Sequence, residues 1–126
     1  KLTAPKKVKT QATRQSKLSE ADILKQIMHL LKRHPKVSRA WRQNSMTARF
    51  VGKDGKVRYV RANTAVGMAD IQFMLKTGRS GFIEVKTPIG GVAEHQQKFL
   101  DDINAGGGIA FVARSVQEVI DRLGRI

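Results

Sequence analysis

Apolar residues recur at three- and four-residue intervals from Ile23 through Leu24, Ile27, Met28, Leu30 and Leu31, which predicts one amphipathic helix. Ser19, with Asp22 three positions later, supplies its N-cap, and His34-Pro35 ends it. Residues 37–62 then read as β structure around the turn Gly52-Lys53-Asp54-Gly55-Lys56, with Asp54-Gly55 expected to take the positive φ angles. After an Asn63–Gly67 loop, Ile71–Leu75 and Gly81–Lys86 form two strands joined by Lys76-Thr77-Gly78-Arg79-Ser80. Pro88 and Gly90-Gly91 break the second strand, and a helix follows over Ala93–Ala105 with Phe99, Leu100 and Ile103 turned inward. Gly106–Gly108 stops that helix, Ile109–Ala113 is a short buried strand, and Ser115 caps a last helix carrying Val116, Val119, Ile120 and Leu123. The order α-β-β-β-β-α-β-α predicts an α/β domain over residues 18–126, a mixed sheet flanked by helices. Residues 1–17 have no such period and read as a basic disordered tail.

Charge changes the picture from fold to partner. The chain has 24 Lys and Arg against 10 Asp and Glu, a formal net charge of +14. Lys1, Lys6, Lys7, Lys9, Arg14 and Lys17 sit in the tail, yet the folded remainder also stays net positive. A body this basic predicts a polyanionic partner, foremost a nucleic acid, because neutralised phosphates release counterions. There is no cysteine, so disulfides and thiolate zinc sites are excluded. No apolar run reaches membrane-spanning length and no secretory pattern is present, so the expectation is a cytoplasmic protein that does not enter a membrane. Arg49, Lys53, Lys56, Arg58 and Arg61 stud the first hairpin, either as a solvated charged face or as phosphate contacts. Trp41 reads as core; with Arg42 and Asn44 it could instead line a DNA groove.

The chemistry gathers in Gly67-Met68-Ala69-Asp70 and Gly81-Phe82-Ile83-Glu84-Val85-Lys86. Alternation along a strand puts Glu84 and Lys86 on one face and Ile83 and Val85 on the other, toward a core. With the turn centred near Gly78, Asp70 lies opposite position 86 or 87. Two carboxylates and an ammonium then converge, an arrangement that can hold a divalent metal beside a phosphate. The bland alternative is a cross-strand ion-pair network worth about 0.2–1 kcal/mol. Glu20 falls at the centre of the first helix's buried stripe at about 100° per residue. It is either a paired, core-facing carboxylate or an ordinary first-turn glutamate with its head in water. His29, His34 and His95 lack metal-ligand spacing, and Gly106–Gly108 lacks the lysine of a P-loop.

An acid followed by Glu-x-Lys on a strand resembles the PD-(D/E)xK nuclease superfamily. Gly-Met-Ala-Asp, Ile-Glu-Val-Lys-Thr-Pro, Gln96-x-x-Phe99-Leu100 and the Val-Ala-Arg-Ser strand end together resemble its VRR-NUC branch, from about Glu20 to Leu123. The resemblance implies a restriction-endonuclease-like sheet with an extra β-hairpin after the first helix. It implies that Asp70, Glu84 and the carbonyl of Val85 hold Mg²⁺ or Mn²⁺, and that Lys86 orients or deprotonates the attacking water. It implies that Glu20 reaches a second metal or its water, and that Gln96, rather than Gln97, orients Lys86 or the scissile phosphate. Ala69 stands where the family has a proline, a backbone difference without chemical consequence. The implied activity is metal-dependent endonuclease cleavage leaving 5′-phosphate and 3′-hydroxyl ends. Stand-alone members imply branched DNA such as four-way junctions, cut by a homodimer. Alternatives from the same residues are a non-catalytic nucleic-acid-binding module and a nuclease for flaps, ends or RNA.

Overall fold

Helix α1 (Glu20–Arg33) is nucleated by the predicted cap: Ser19 accepts from the Asp22 N–H at 3.1 Å, and Asp22 accepts from the Ser19 N–H at 3.2 Å. The computed structural model describes residues 18–43, 47–61 and 68–126. The tail expectation for 1–17, Asn44, and the Asn63–Gly67 loop with its Gly67 lie outside those residues.

From α1 the chain turns at His34-Pro35 into β1 (Val37–Arg42), followed by β2 (Thr47–Val51), β3 (Val57–Arg61), β4 (Ile71–Leu75) and β5 (Ser80–Val85). Helix α2 (Glu94–Ala105), β6 (Ile109–Ala113) and α3 (Val116–Gly124) complete it. There is one strand more than the sequence predicts, because 37–61 breaks into three segments rather than a single hairpin. The main sheet runs β1-β4-β5-β6, antiparallel except for the parallel β5/β6 pair, and β2-β3 form a separate two-stranded sheet.

Central strand β5 is buried on both faces, which divides the apolar residues into two clusters. Ile71, Phe73, Leu75, Ile83 and Val85 point to the layer made by α1 and α3, where Ile23, Ile27, Leu31, Val119 and Leu123 pack against them. Phe82 points the other way, to a smaller cluster with Ala69, Leu100 and Ala110 beneath α2. Phe99 meets Phe82 edge-on with centroids 5.2 Å apart. Gly81 is required by this packing: the Phe73 ring lies across it on the neighbouring strand, in the space a Cβ would take. Ile120, one of the apolar residues the last helix carries, is 40 % exposed on the outer side of α3.

Both hairpins use a three-residue loop with glycine last. Gly52 donates to Lys56 and Leu75 donates to Arg79, each at 2.9 Å, while Gly55 and Gly78 take φ values of 75° and 89°. Two expectations change as a result. Asp54 does not share a positive φ with Gly55; its carboxylate instead accepts the Lys56 N–H at 3.0 Å. The second turn centres on Thr77 rather than Gly78, so Met74 pairs with Ser80 and Ile71 with Ile83. Extending that ladder places Asp70 opposite Glu84, not opposite 86 or 87.

Candidate active site

The register leaves Asp70 one step beyond the last ladder pair of β4, where its two ends are tied differently. Its backbone carbonyl accepts the Gln43 N–H at 2.8 Å, continuing the β1 pairing. Its side-chain Oδ2 accepts the Val85 N–H at 2.8 Å, in the place where the next backbone rung would form. A residue in an antiparallel ladder presents N–H and C=O to the same neighbour, so the Val85 carbonyl faces the Asp70 side of β5.

Glu84 is the one charged side chain that is buried among the described residues, at 3 % exposure. Its Oε1 takes a hydrogen bond from Gln96 Nε2 at 3.0 Å and an ion pair with Lys86 Nζ at 3.6 Å. Burial, reinforced by the charge of Asp70 and a hydrogen bond between the two carboxyls, pushes the Glu84 acid up to about 7. Lys86 opposes that rise without cancelling it. Fully ionised, the pair would set two negative charges against the single positive charge of Lys86.

Gln96 cannot rotate freely. Its Oε1 is occupied by the Ala93 N–H at 3.0 Å, at the start of α2, which leaves the NH₂ group directed at Glu84. Its neighbour Gln97 instead pairs with Asp101 on the exposed side of the helix at 2.9 Å. Lys86 is held by the sheet as well, since its N–H donates to the Ala113 carbonyl at 3.0 Å. Gln96 thus bonds Glu84, where the sequence suggests Lys86 or a phosphate as its target.

Glu20 is brought to the same end of the sheet but not into the pair. Helix α1 packs on β1, and its 14 residues rise about 21 Å, close to the length of a six-residue strand. Its first turn consequently lies level with Arg42 and Asp70. The Glu20 side chain is nevertheless exposed rather than core-facing, because the capping geometry opens the first turn to solvent before the stripe at Ile23 begins. No third carboxylate or imidazole joins Asp70 and Glu84 among the described residues.

Arg42 is exposed at the end of β1, opposite Ile71. Lys53, Lys56 and Arg58 are exposed at the β2-β3 turn, with Arg58 3.5 Å from Asp54; the Arg61 side chain lies outside the described ones. Trp41 belongs to neither apolar cluster. It is half-buried opposite Gln72, on the face of β1 and β4 that α2 leaves uncovered, and Gln43 donates to Gln72 beside it. Strand alternation puts Arg39, Trp41, Gln72 and Asp70 on this one face, continuous with the acid pair. The sequence gives Trp41 a place in the core because a lone tryptophan in an apolar segment does not reveal which sheet face lacks a helix.

Arg114 is a residue that spacing alone does not expose. Its Nη1 donates to the carbonyls of Thr87 at 2.7 Å and Gly90 at 2.6 Å, binding the loop after Lys86 to the end of β6.

The donor set is hard and oxygen-rich: two carboxylates and a facing carbonyl, without sulfur or imidazole. It fits Mg²⁺ or Mn²⁺, and a dication would offset both the burial of the Glu84 carboxylate and its repulsion by Asp70, which together raise its acid.

A mixed sheet with acids, lysine and glutamine converging at one strand end, on a basic body, is consistent with a nuclease-type domain. The VRR-NUC domain family model matches residues 15–117, and the chain belongs to that family. No protein of curated function and no solved structure matches the chain. No helix among the described residues is long and apolar enough to cross a membrane.

Proposed function

We propose that this chain is a divalent-metal-dependent, structure-selective DNA endonuclease of the PD-(D/E)xK type, a single nuclease domain over residues 18–126 preceded by a basic tail. The observation that carries the reading is the buried Glu84 carboxylate beside Asp70, with Lys86 and Gln96 both at its Oε1. Asp70, Glu84 and the Val85 carbonyl would hold Mg²⁺ or Mn²⁺. The ion would offset charge on the phosphate and acidify the attacking water.

Lys86 is the proton-handling and charge-stabilising group, since its ammonium lies on the same strand face as Glu84 and 3.6 Å from it. Gln96 fixes the orientation of the Glu84 carboxylate. Glu20, on the exposed first turn of α1 at the same end of the sheet, would reach a second ion or its hydration shell when DNA is bound. Arg42, Lys53, Lys56, Arg58 and Arg61 would contact phosphates, with the open Arg39–Trp41–Gln72 face giving the duplex a floor. Among the described residues no helix-turn-helix is present, which supports recognition by shape, and branched DNA such as a four-way junction is the proposed substrate. Two symmetric cuts call for a homodimer. A cytoplasmic location accords with a cysteine-free basic chain.

The test is a panel of labelled four-way, flap, linear and single-stranded DNAs and RNA, each with Mg²⁺, Mn²⁺ or chelator. Metal-dependent junction cleavage giving 5′-phosphate ends is the expected result. Salt-sensitive binding without products under any divalent metal would instead establish a non-catalytic binding module.

A further inference from the structure

The loop between Lys86 and α2 is built as a spike. The Thr87 carbonyl accepts the Gly90 N–H at 3.1 Å, so Thr87-Pro88-Ile89-Gly90 is a β-turn whose backbone Pro88 presets. The two Arg114 bonds to Thr87 and Gly90 brace the base of that turn from β6. At its tip Ile89 is 96 % exposed, more than any other large apolar side chain among the described residues. Pro88 beside it is exposed as well. Turn tips are ordinarily polar, and neither apolar cluster uses Ile89.

Both ends of this turn are anchored in the active site. Lys86, three residues before Ile89, pairs with Glu84, and the Ala93–Gln96 bond that aims Gln96 at Glu84 lies just after it. Three residues span at most about 11 Å, so a rigid apolar point stands within one or two nucleotides of a phosphate bound at the acid pair.

We propose that Ile89 is a wedge that enters a base step beside the cleaved phosphate and unstacks it. This rests on the DNA endonuclease reading above. One braced aliphatic side chain is too small for a protein interface, but it matches the way Ile, Leu, Met and Phe open DNA steps. The surrounding chain is strongly cationic, as a nucleic-acid partner requires. The consequence is selectivity without base contacts: cleavage is favoured where unstacking is already cheap, as at a branch point or mismatch.

The test uses Ile89→Ala, Ile89→Ser and Ile89→Leu, at an exposed position where folding is not at stake. A junction carrying 2-aminopurine at the step beside the mapped cut is bound in Ca²⁺, and cleavage is followed in Mg²⁺. Wild type and Ile89→Leu are expected to raise the fluorescence on binding, and Ile89→Ala and Ile89→Ser to leave it low. Cleavage of the fully paired junction by Ile89→Ala should fall about tenfold, and a mismatch at that step should restore it. Unchanged fluorescence and cleavage in Ile89→Ala overturn the wedge and leave the nuclease reading standing. So does an equal loss on paired and mismatched junctions, or conversion of a dimer to a monomer. A wild-type protein that neither binds nor cuts DNA overturns the nuclease reading itself, and the wedge with it.

Discussion

Gln96 donates to the same oxygen of Glu84 that Lys86 faces, at 3.0 Å against 3.6 Å, while its own carbonyl is held by the Ala93 N–H. The start of α2 therefore sets the angle of a carboxylate on the central strand. That relationship makes the amide's identity matter, not merely its size.

Replacing Gln96 with Glu removes the donor and adds a third carboxylate next to an acid already raised by burial and by the charge of Asp70. Cleavage by Gln96→Glu is expected to drop about 10–100-fold, the usual cost of losing a group that orients a metal ligand. Gln97→Glu, at an exposed site paired with Asp101, is expected to cut like wild type. Initial rates on one labelled junction decide between the two positions.

Glu84 gives the metal-free protein a defined pH response. Its acid is raised from 4.5 to about 7 in the fold, so the folded state holds a proton that the unfolded chain releases. The stability this group contributes is complete below about pH 4.5 and is lost as pH rises through 7. Melting in chelator should show Glu84→Gln gaining on wild type as pH rises from 5 to 8. Adding Mn²⁺ at pH 8 should raise the wild-type Tm and leave Glu84→Gln unmoved.

Gly81→Ala tests the packing under the site. The added methyl must displace the Phe73 ring in the main core, and a loss of about 1–3 kcal/mol is expected. Urea unfolding followed through Trp41 fluorescence measures it.

Arg114→Ala frees the carbonyls of Thr87 and Gly90. Hydrogen exchange at Ile89, Gly90 and Gly91 is expected to quicken while exchange in β4 stays slow, and cleavage should fall. Arg114→Lys should recover little of it, since a single ammonium on a flexible stem lacks the guanidinium's rigid, pre-organised donors.

Much of this centre was legible because strand alternation is a strict rule: once Gly81–Lys86 reads as a strand, Glu84 and Lys86 must share a face. The caps at Ser19 and Ser115 were equally direct, being side-chain chemistry within four residues. The exact partner of Asp70 was not, because a hairpin register depends on where the loop centres, and placing it at Gly78 instead of Thr77 shifts the pairing by two residues. Glu20 illustrates a second limit: a helical wheel gives direction around an axis but not whether the first turn is covered. Trp41 and Arg114 depend on which sheet face and which loop lie nearby, information held only in the tertiary arrangement.

Metal-dependent catalysis at Glu84 and Lys86 is tested by cleavage of a labelled four-way junction in Mg²⁺ by wild type, Glu84→Ala and Lys86→Ala, with folding checked by circular dichroism. Wild type is expected to cut and to stop in chelator, and both folded variants to bind the junction without cutting it. Wild-type cleavage that persists in chelator, or a Glu84→Ala protein that cuts at the wild-type rate, would contradict it.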